Sequence, residues 1–325
     1  MKKPRVLVTR RWPKAVERRL SEQFETVLNE GDVPLAHGEL AAAMSDFDIL
    51  CPTVSDRIDA GVIDAAGDRT RVKLIANYGV GFDHIAMDAA KERGIVVTNT
   101  PGVLTDATAD LAMTLMLMAS RRAGEGEREL RAGKWTGWRP THLVGSALKD
   151  KVLGLVGFGR IGQATAERAH YGFGMRIAYY GRHPASAEVN AQLDAQYYPD
   201  LAGLLAASDF VSLHIPGGAE TENLIDARAI ATMKEGAYLI NTARGGVVDH
   251  NALAEALKSG QLAGAGLDVY PQEPLVPPAL LELENVVLLP HLGSANEETR
   301  TAMGMRALAN VEAWAKGETC PDRIG

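Results

Sequence analysis

Short apolar runs and longer stretches of helical period alternate along most of this 325-residue chain. In its first part, strand-like runs fall at Arg5–Thr9, Phe24–Leu28, Phe47–Cys51, Leu74–Asn77 and Ile95–Asn99. Between them, segments such as "PKAVERRLSEQ" and "HGELAAAM" repeat their apolar positions at helical spacing. Short apolar strands separated by helices predict parallel sheets with both faces covered. Near Asn99 the alternation stops, and "TPGVLTDATADLAMTLMLMASRRAGEGERELRAGKW" reads as about two helices with no strand between them. At Lys151 a second series begins: Val152–Val156, Arg176–Tyr180, Phe210–His214, Ala237–Asn241, Gly264–Val269 and Val286–Leu289. The closing segment, "NEETRTAMGMRALANVEAWAKG", reads as an amphipathic helix lacking a strand of its own and able to pack back onto the first domain.

Two strand series in a chain of this length predict two α/β domains, because a single core of that size is uncommon. If the last helix returns to the first domain, the chain crosses twice, near "NTPG" at Asn99 and "LLPHLG" at Leu288. Ligands of open α/β sheets bind beyond the carboxyl ends of the strands, and clefts between domains are favoured, so both crossings are expected beside a site.

Composition removes several function classes. A formal charge of −7 with no long basic run argues against nucleic acid or an anionic membrane as the partner. The most apolar helical stretch, "LAMTLMLMAS" from Leu111, is too short to span a bilayer, and the first strand follows the N-terminus with no apolar signal region. Cys51 and Cys320, the only cysteines, make neither a disulfide framework nor a metal-binding spacing. A cytoplasmic protein without a metal is expected.

The first chemical signal is "KVLGLVGFGRIGQATAERA", which sets Gly157, Gly159 and Gly162 in a GxGxxG spacing after a strand and at the start of a helix. That context, more than the motif, predicts a dinucleotide whose pyrophosphate meets backbone N–H groups and a helix N-terminus. At the end of the next strand, "RIAYYGRHP" places Gly181 where an NAD site usually has an acid for the ribose diol. Arg182 and His183 follow, and a guanidinium suits a 2′-phosphate. NADPH is therefore favoured over NADH.

Three polar segments then close strands of the second series: "NTARGG" with Arg244, "LDVYPQEP" with Asp268 and Glu273, and "LLPHLGSA" with His291 and Ser294. Taken singly, each is an ordinary loop. Together they supply what reduction of a 2-keto acid needs besides hydride: a cation for the carboxylate, and an imidazole of suitable pKa with a carboxylate partner to keep it protonated. His214, in "LHIPGG", is the competing histidine.

Seven motifs, "NYGVGFDHI", "VTNTPG", "LGLVGFGRIG", "HIPG", "LINTARGGVVD", "GLDVYPQEP" and "LLPHLGSA", occur in the order and spacing of one family. The chain resembles the D-isomer-specific 2-hydroxyacid dehydrogenases over nearly its whole length, closest to the glyoxylate/hydroxypyruvate reductase branch. The resemblance implies two Rossmann-like or flavodoxin-like domains: a discontinuous substrate domain, 1–100 plus 290–325, and a dinucleotide-binding domain, 101–289, with a dimerisation arm at about 101–145. It implies Arg244, Glu273 and His291 as the catalytic triad, with His291 as acid/base. Substrate contacts are implied at Val80, Gly81, Arg244, His291 and Ser294. For the cofactor, Thr108, Arg160, Ile161, His214, Ile215, Pro216, Thr221, Thr242, Ala243, Arg244, Asp268, His291 and Gly293 join the three loop glycines and the stretch from Gly181 to His183. Asp268 matches the position that contacts the carboxamide region of the nicotinamide. The stretch "WTGWRP", from Trp135, resembles the branch's aromatic loop, whose second tryptophan comes from the partner of a homodimer. The family also admits other substrates, such as phosphoglycerate, phosphite or bulkier 2-keto acids. A reading from another class, a non-catalytic dinucleotide-sensing protein like the C-terminal-binding co-repressors, predicts extended tails that this chain is expected to lack.

Overall fold

The computed structural model describes residues 3–325. Its strands are β1 (Arg5–Val8), β2 (Glu25–Leu28), β3 (Ile49–Cys51), β4 (Leu74–Ala76), β5 (Val96–Thr98), β6 (Val152–Val156), β7 (Arg176–Tyr180), β8 (Ala195–Tyr198), β9 (Phe210–Leu213), β10 (Ala237–Asn241), β11 (Leu262–Leu267), β12 (Val286–Leu288) and β13 (Arg323–Ile324). The helices are α1 (Lys14–Gln23), α2 (His37–Asp46), α3 (Ala60–Asp64), α4 (Met87–Glu92), α5 (Thr105–Ser120), α6 (Ala123–Arg131), α7 (Arg160–Glu167), α8 (Ala187–Leu193), α9 (Leu201–Ala207), α10 (Ala227–Thr232), α11 (His250–Ser259), α12 (Pro278–Leu281) and α13 (Glu297–Ala315). Both units into which they gather are α/β, each a largely parallel sheet packed on both faces.

One unit comprises 3–104 and 294–325. Its sheet runs β13-β5-β4-β3-β1-β2, parallel except for the antiparallel β13 at its edge. Apolar side chains fill both faces. Val16, Leu20, Leu308 and Val311 are fully or almost fully buried where α1 and α13 cover one face, and burying such a side chain contributes about 1.5–3 kcal/mol. The two helices meet closely because residue 304 is glycine: a Cβ there would lie 2.8 Å from Val16 Cγ2. The other unit, Thr105–Gly293, has a seven-stranded, wholly parallel sheet in the order β12-β11-β10-β9-β6-β7-β8. Its order reverses beside β6, the strand that leads into the glycine loop.

Two strands lie outside the sequence expectation, and a third is displaced. β8 is an edge strand of four residues, "AQYY", only part-buried and interrupted by the exposed Gln196, so it lacks the continuous apolar run that marks a central parallel strand. β13 has two residues and corrects the reading of the closing segment: the chain leaves α13 and returns as a strand against β5. β11 begins at Leu262 instead of Gly264, because Gly260, in the left-handed region at φ 80°, ends α11 and turns the chain into the sheet at once. Among the described residues no helix is long and apolar enough to cross a membrane. Cys51 and Cys320 are free and buried.

Candidate active site

Arg244, Glu273 and His291 follow β10, β11 and β12, three adjacent strands, at their carboxyl ends. Each loop is fixed to its strand by backbone bonding that the sequence prescribes. Asn241, fully buried at the end of β10, accepts from the Ala243 amide through Oδ1 (2.9 Å) and donates from Nδ2 to the Arg244 carbonyl (2.8 Å). The Arg244 guanidinium donates to the Ala243 carbonyl at 2.8 Å. Gly245 is required by a neighbouring backbone: a Cβ would stand 1.9 Å from Tyr270 C and 2.4 Å from Pro271 N. Gly246, by contrast, faces open space. The Gly-Gly pair thus seats the Arg244 loop against the segment that carries Glu273.

His291 donates from Nδ1 to Glu273 Oε2 at 2.7 Å, and Glu273 Oε1 accepts from the Tyr270 amide at 3.0 Å. Burial acts to raise the Glu273 carboxyl, but the hydrogen bond and charge of His291, the Tyr270 N–H and the Arg244 charge outweigh it and hold it below the usual carboxylate range. An anionic Glu273 fixes the imidazole with a proton on Nδ1 and frees Nε2 for chemistry. The His291 backbone is left-handed, at φ 55°, a conformation that costs a non-glycine residue about 1–2 kcal/mol. Asp268 holds it there. Its carbonyl accepts from the His291 amide (2.9 Å), and its two carboxylate oxygens accept from the amides of Leu292 (2.6 Å) and Gly293 (2.8 Å). Three consecutive amides of the histidine loop are therefore clamped by one residue, itself only 1% exposed, whose carboxyl is raised by that burial. Thr108 adds a bond from Oγ1 to the Gly293 carbonyl at 3.1 Å.

On the same sheet, β6 ends in the glycine loop. Gly157 sits at φ 94°, and a Cβ there would lie 2.5 Å from the His214 carbonyl oxygen. A Cβ at Gly162 would lie 2.4 Å from the Gly157 carbonyl oxygen, whereas none of the protein approaches the corresponding point at Gly159. Two glycines are thus demanded by packing, and the third leaves the N-terminus of α7 open, as a pyrophosphate requires. A further sign of fit is Thr242, whose buried Oγ1 has no partner among the described residues. Arg160 and Ile161 open α7, and Thr221 holds the loop beyond Ile215 by donating to the carbonyls of Pro216 (2.8 Å) and Gly218 (3.2 Å). Arg182 and His183 are exposed beyond β7, and the Gly181 carbonyl accepts from Tyr197 at 3.3 Å.

His214 is occupied elsewhere: its Nε2 and Ser212 Oγ are hydrogen-bonded at 2.9 Å, and burial pushes the imidazole down to about 4, so it is uncharged at neutral pH. In the first unit, Asn77 shapes the glycine turn, donating to the carbonyls of Gly79 (3.2 Å) and Gly81 (2.9 Å), and Asn99 donates to that of Val80 (2.9 Å). A Cβ at Gly79 would crowd Val54 Cγ1 at 3.1 Å, so a protein side chain already limits that position. The Ser294 carbonyl accepts from the Asn296 amide (2.9 Å) and from Arg300 Nε (3.2 Å). Asn241 and Tyr270 were not singled out from the sequence. Their only signal was a polar residue closing an apolar strand and a tyrosine inside a proline-bounded loop.

The family model for the D-isomer specific 2-hydroxyacid dehydrogenase NAD binding domain matches residues 113–293. The glyoxylate reductase of Thermococcus litoralis is 45% identical, over 99% of this chain and 97% of its own. A Thermus thermophilus protein of known structure is 46% identical, with a TM-score of 0.90 over 99% of this chain and 100% of that one. The structure of an NADPH-dependent glyoxylate/hydroxypyruvate reductase from Sinorhizobium meliloti, bound to NADP and malonate, is 37% identical, with a TM-score of 0.88 over 100% and 97%. Sequence, fold and site geometry agree, and the chain belongs to the D-isomer specific 2-hydroxyacid dehydrogenase family.

Proposed function

We propose that this protein reduces a small 2-keto acid, glyoxylate or hydroxypyruvate, to the D-2-hydroxy acid with NADPH as the favoured cofactor. The observation that carries the reading is the Glu273–His291 pair at 2.7 Å, at the ends of the two strands next in order to the one that leads to Arg244. Bound reduced nicotinamide would supply hydride. His291, held by Glu273, delivers the proton from Nε2 to the carbonyl oxygen as it gains negative charge. Arg244 pairs with the substrate carboxylate and polarises the keto group. The amides of Val80 and Gly81 receive the carboxylate as well, and Ser294 completes the substrate contacts. The glycines at 157, 159 and 162 with Arg160 and Ile161 hold the pyrophosphate. Thr108, His214, Ile215, Pro216, Thr221, Thr242, Ala243, Asp268 and Gly293 line the rest of the dinucleotide.

We assign the substrate-domain role to the unit of 3–104 and 294–325, and dinucleotide binding to the other. A cytoplasmic homodimer fits this reading. Leu130, Trp135, Trp138 and Val144 are 61%, 51%, 82% and 64% exposed in the single chain, an apolar set that a second copy would cover.

Assaying glyoxylate, hydroxypyruvate, pyruvate, 3-phosphohydroxypyruvate and a bulkier aromatic 2-keto acid, each with NADPH and with NADH, tests the proposal. Turnover should be fastest with one of the first two. Oxidation of neither cofactor by any of the five would reject it. Cofactor choice rests on the missing acid at 181. A Cβ there would make ordinary contact, 3.7 Å from the His183 carbonyl oxygen, so Gly181→Asp is sterically accommodated. It should move preference toward NADH by repelling the 2′-phosphate. A measured ratio of kcat/KM that stays put, or moves toward NADPH, removes the specificity argument.

A further inference from the structure

The loop that presents Arg244 has a third attachment, from a residue that no role above has used. His250, the first residue of α11, is 5% exposed, and its Nε2 lies 3.1 Å from the Gly245 carbonyl oxygen. A carbonyl only accepts, so Nε2 carries the proton. Nδ1 is buried and has no partner among the described residues, so a second proton would have no acceptor. Burial accordingly pushes the imidazole below its usual value against the opposing pull of the Gly245 bond and the Asp249 charge, and His250 stays a neutral donor.

We infer that His250 is a positioning residue for substrate binding, acting through the Gly245 carbonyl on the Arg244 guanidinium. The inference rests on the role given to Arg244 above. The geometry makes Gly245 the place where such a contact matters. No Cβ fits between it and the Tyr270–Pro271 peptide, and its carbonyl also accepts from the Val248 amide at 3.2 Å. Gly245 is therefore held between two neighbours: Tyr270–Pro271 against its α-carbon and the imidazole on the carbonyl of its peptide with Gly246. Tyr270 in turn donates its amide to Glu273. Without the imidazole, the Gly245 carbonyl keeps only the Val248 amide, and the Gly245 end of the turn can shift away from Tyr270. A shift of about 1 Å in a group that binds or orients substrate costs up to about 10²-fold in rate. The glycine loop that meets the pyrophosphate is carried by β6 and α7, away from this turn, so cofactor binding depends on the contact only through Thr242 and Ala243.

The test measures glyoxylate KM and kcat, NADPH Kd and thermal midpoint for His250→Leu, His250→Gln and Arg244→Ala beside the wild type. His250→Leu should raise KM about 10-fold and lower kcat less, with NADPH Kd changed far less than KM, as expected when the carboxylate grip is what mainly loosens. Glutamine places an amide N–H near the position of Nε2 and should restore most of the lost affinity. Should His250→Leu not fold, His250→Asn, whose shorter amide falls short of Gly245, carries the same expectation. If Arg244→Ala raises KM while His250→Leu does not, the inference alone is overturned. It is also overturned if glutamine fails to rescue, or if KM, kcat and NADPH Kd all change together. An unchanged KM in Arg244→Ala would instead remove the reading on which it rests.

Discussion

His291→Ala should lower kcat by about 10²–10⁴-fold for 2-keto acid reduction, the range expected when a positioned general acid is lost. NADPH affinity should be nearly unaffected. The separation follows from how the residue is held. The imidazole hangs from Glu273 at 2.7 Å, while the backbone of residues 291–293 is held by Asp268 through three amides. Truncating the side chain therefore leaves the loop in place. Each amide donated to the Asp268 carboxylate contributes about 1.5–3 kcal/mol, enough to outweigh the left-handed backbone at 291. Alanine, which pays the same backbone cost, should remain clamped. Single-turnover rates with glyoxylate, together with NADPH titration by fluorescence, check this. A collapse of cofactor binding, or a rate near that of the wild type, contradicts the proton-donor role.

The second large effect is expected from one methyl group. Gly245→Ala places a Cβ at 1.9 Å from the Tyr270 carbonyl carbon, a distance no side-chain adjustment relieves because both neighbours are backbone. The Arg244 turn and the Tyr270–Glu273 segment must separate. Overpacking of this kind costs about 1–3 kcal/mol of stability. The larger loss should be in kcat/KM, by at least about 10²-fold, because the guanidinium and the carboxylate that orients His291 both move. Gly246→Ala is the matched control, since a Cβ there meets nothing within 4 Å. Denaturant melts and steady-state kinetics on the pair separate the two terms. Equal behaviour of the two variants would show that the Gly245 contact is not what seats the loop.

Much of this architecture was legible because its signals are local. Central parallel strands such as β6 and β10 are buried on both faces and announce themselves as unbroken apolar runs. The glycine loop was legible because Gly157 needs a positive φ, and only glycine adopts that freely. Arg244, Glu273 and His291 stood out as polar residues placed directly after such strands. What the sequence hid depends on neighbours in space. β8 and β13 are edge strands whose pairing partners, not their composition, define them. The reason for Gly245 lies 25 residues further on, at Tyr270, and no spacing rule links the two. Asp268 was expected to face the cofactor. What no motif displays is that both its oxygens also accept from backbone, the amides of Leu292 and Gly293. Asn241, His250 and Tyr270 had no motif of their own, because their work is done on carbonyls and amides that a sequence does not display.

Arg244, Glu273 and His291 are all suspended from the ends of β10, β11 and β12, neighbours in a single sheet. Their mutual spacing is thus a by-product of strand registry and is settled the moment that sheet forms. Substitutions that spare these three loops and the strands beneath them should therefore leave that spacing intact.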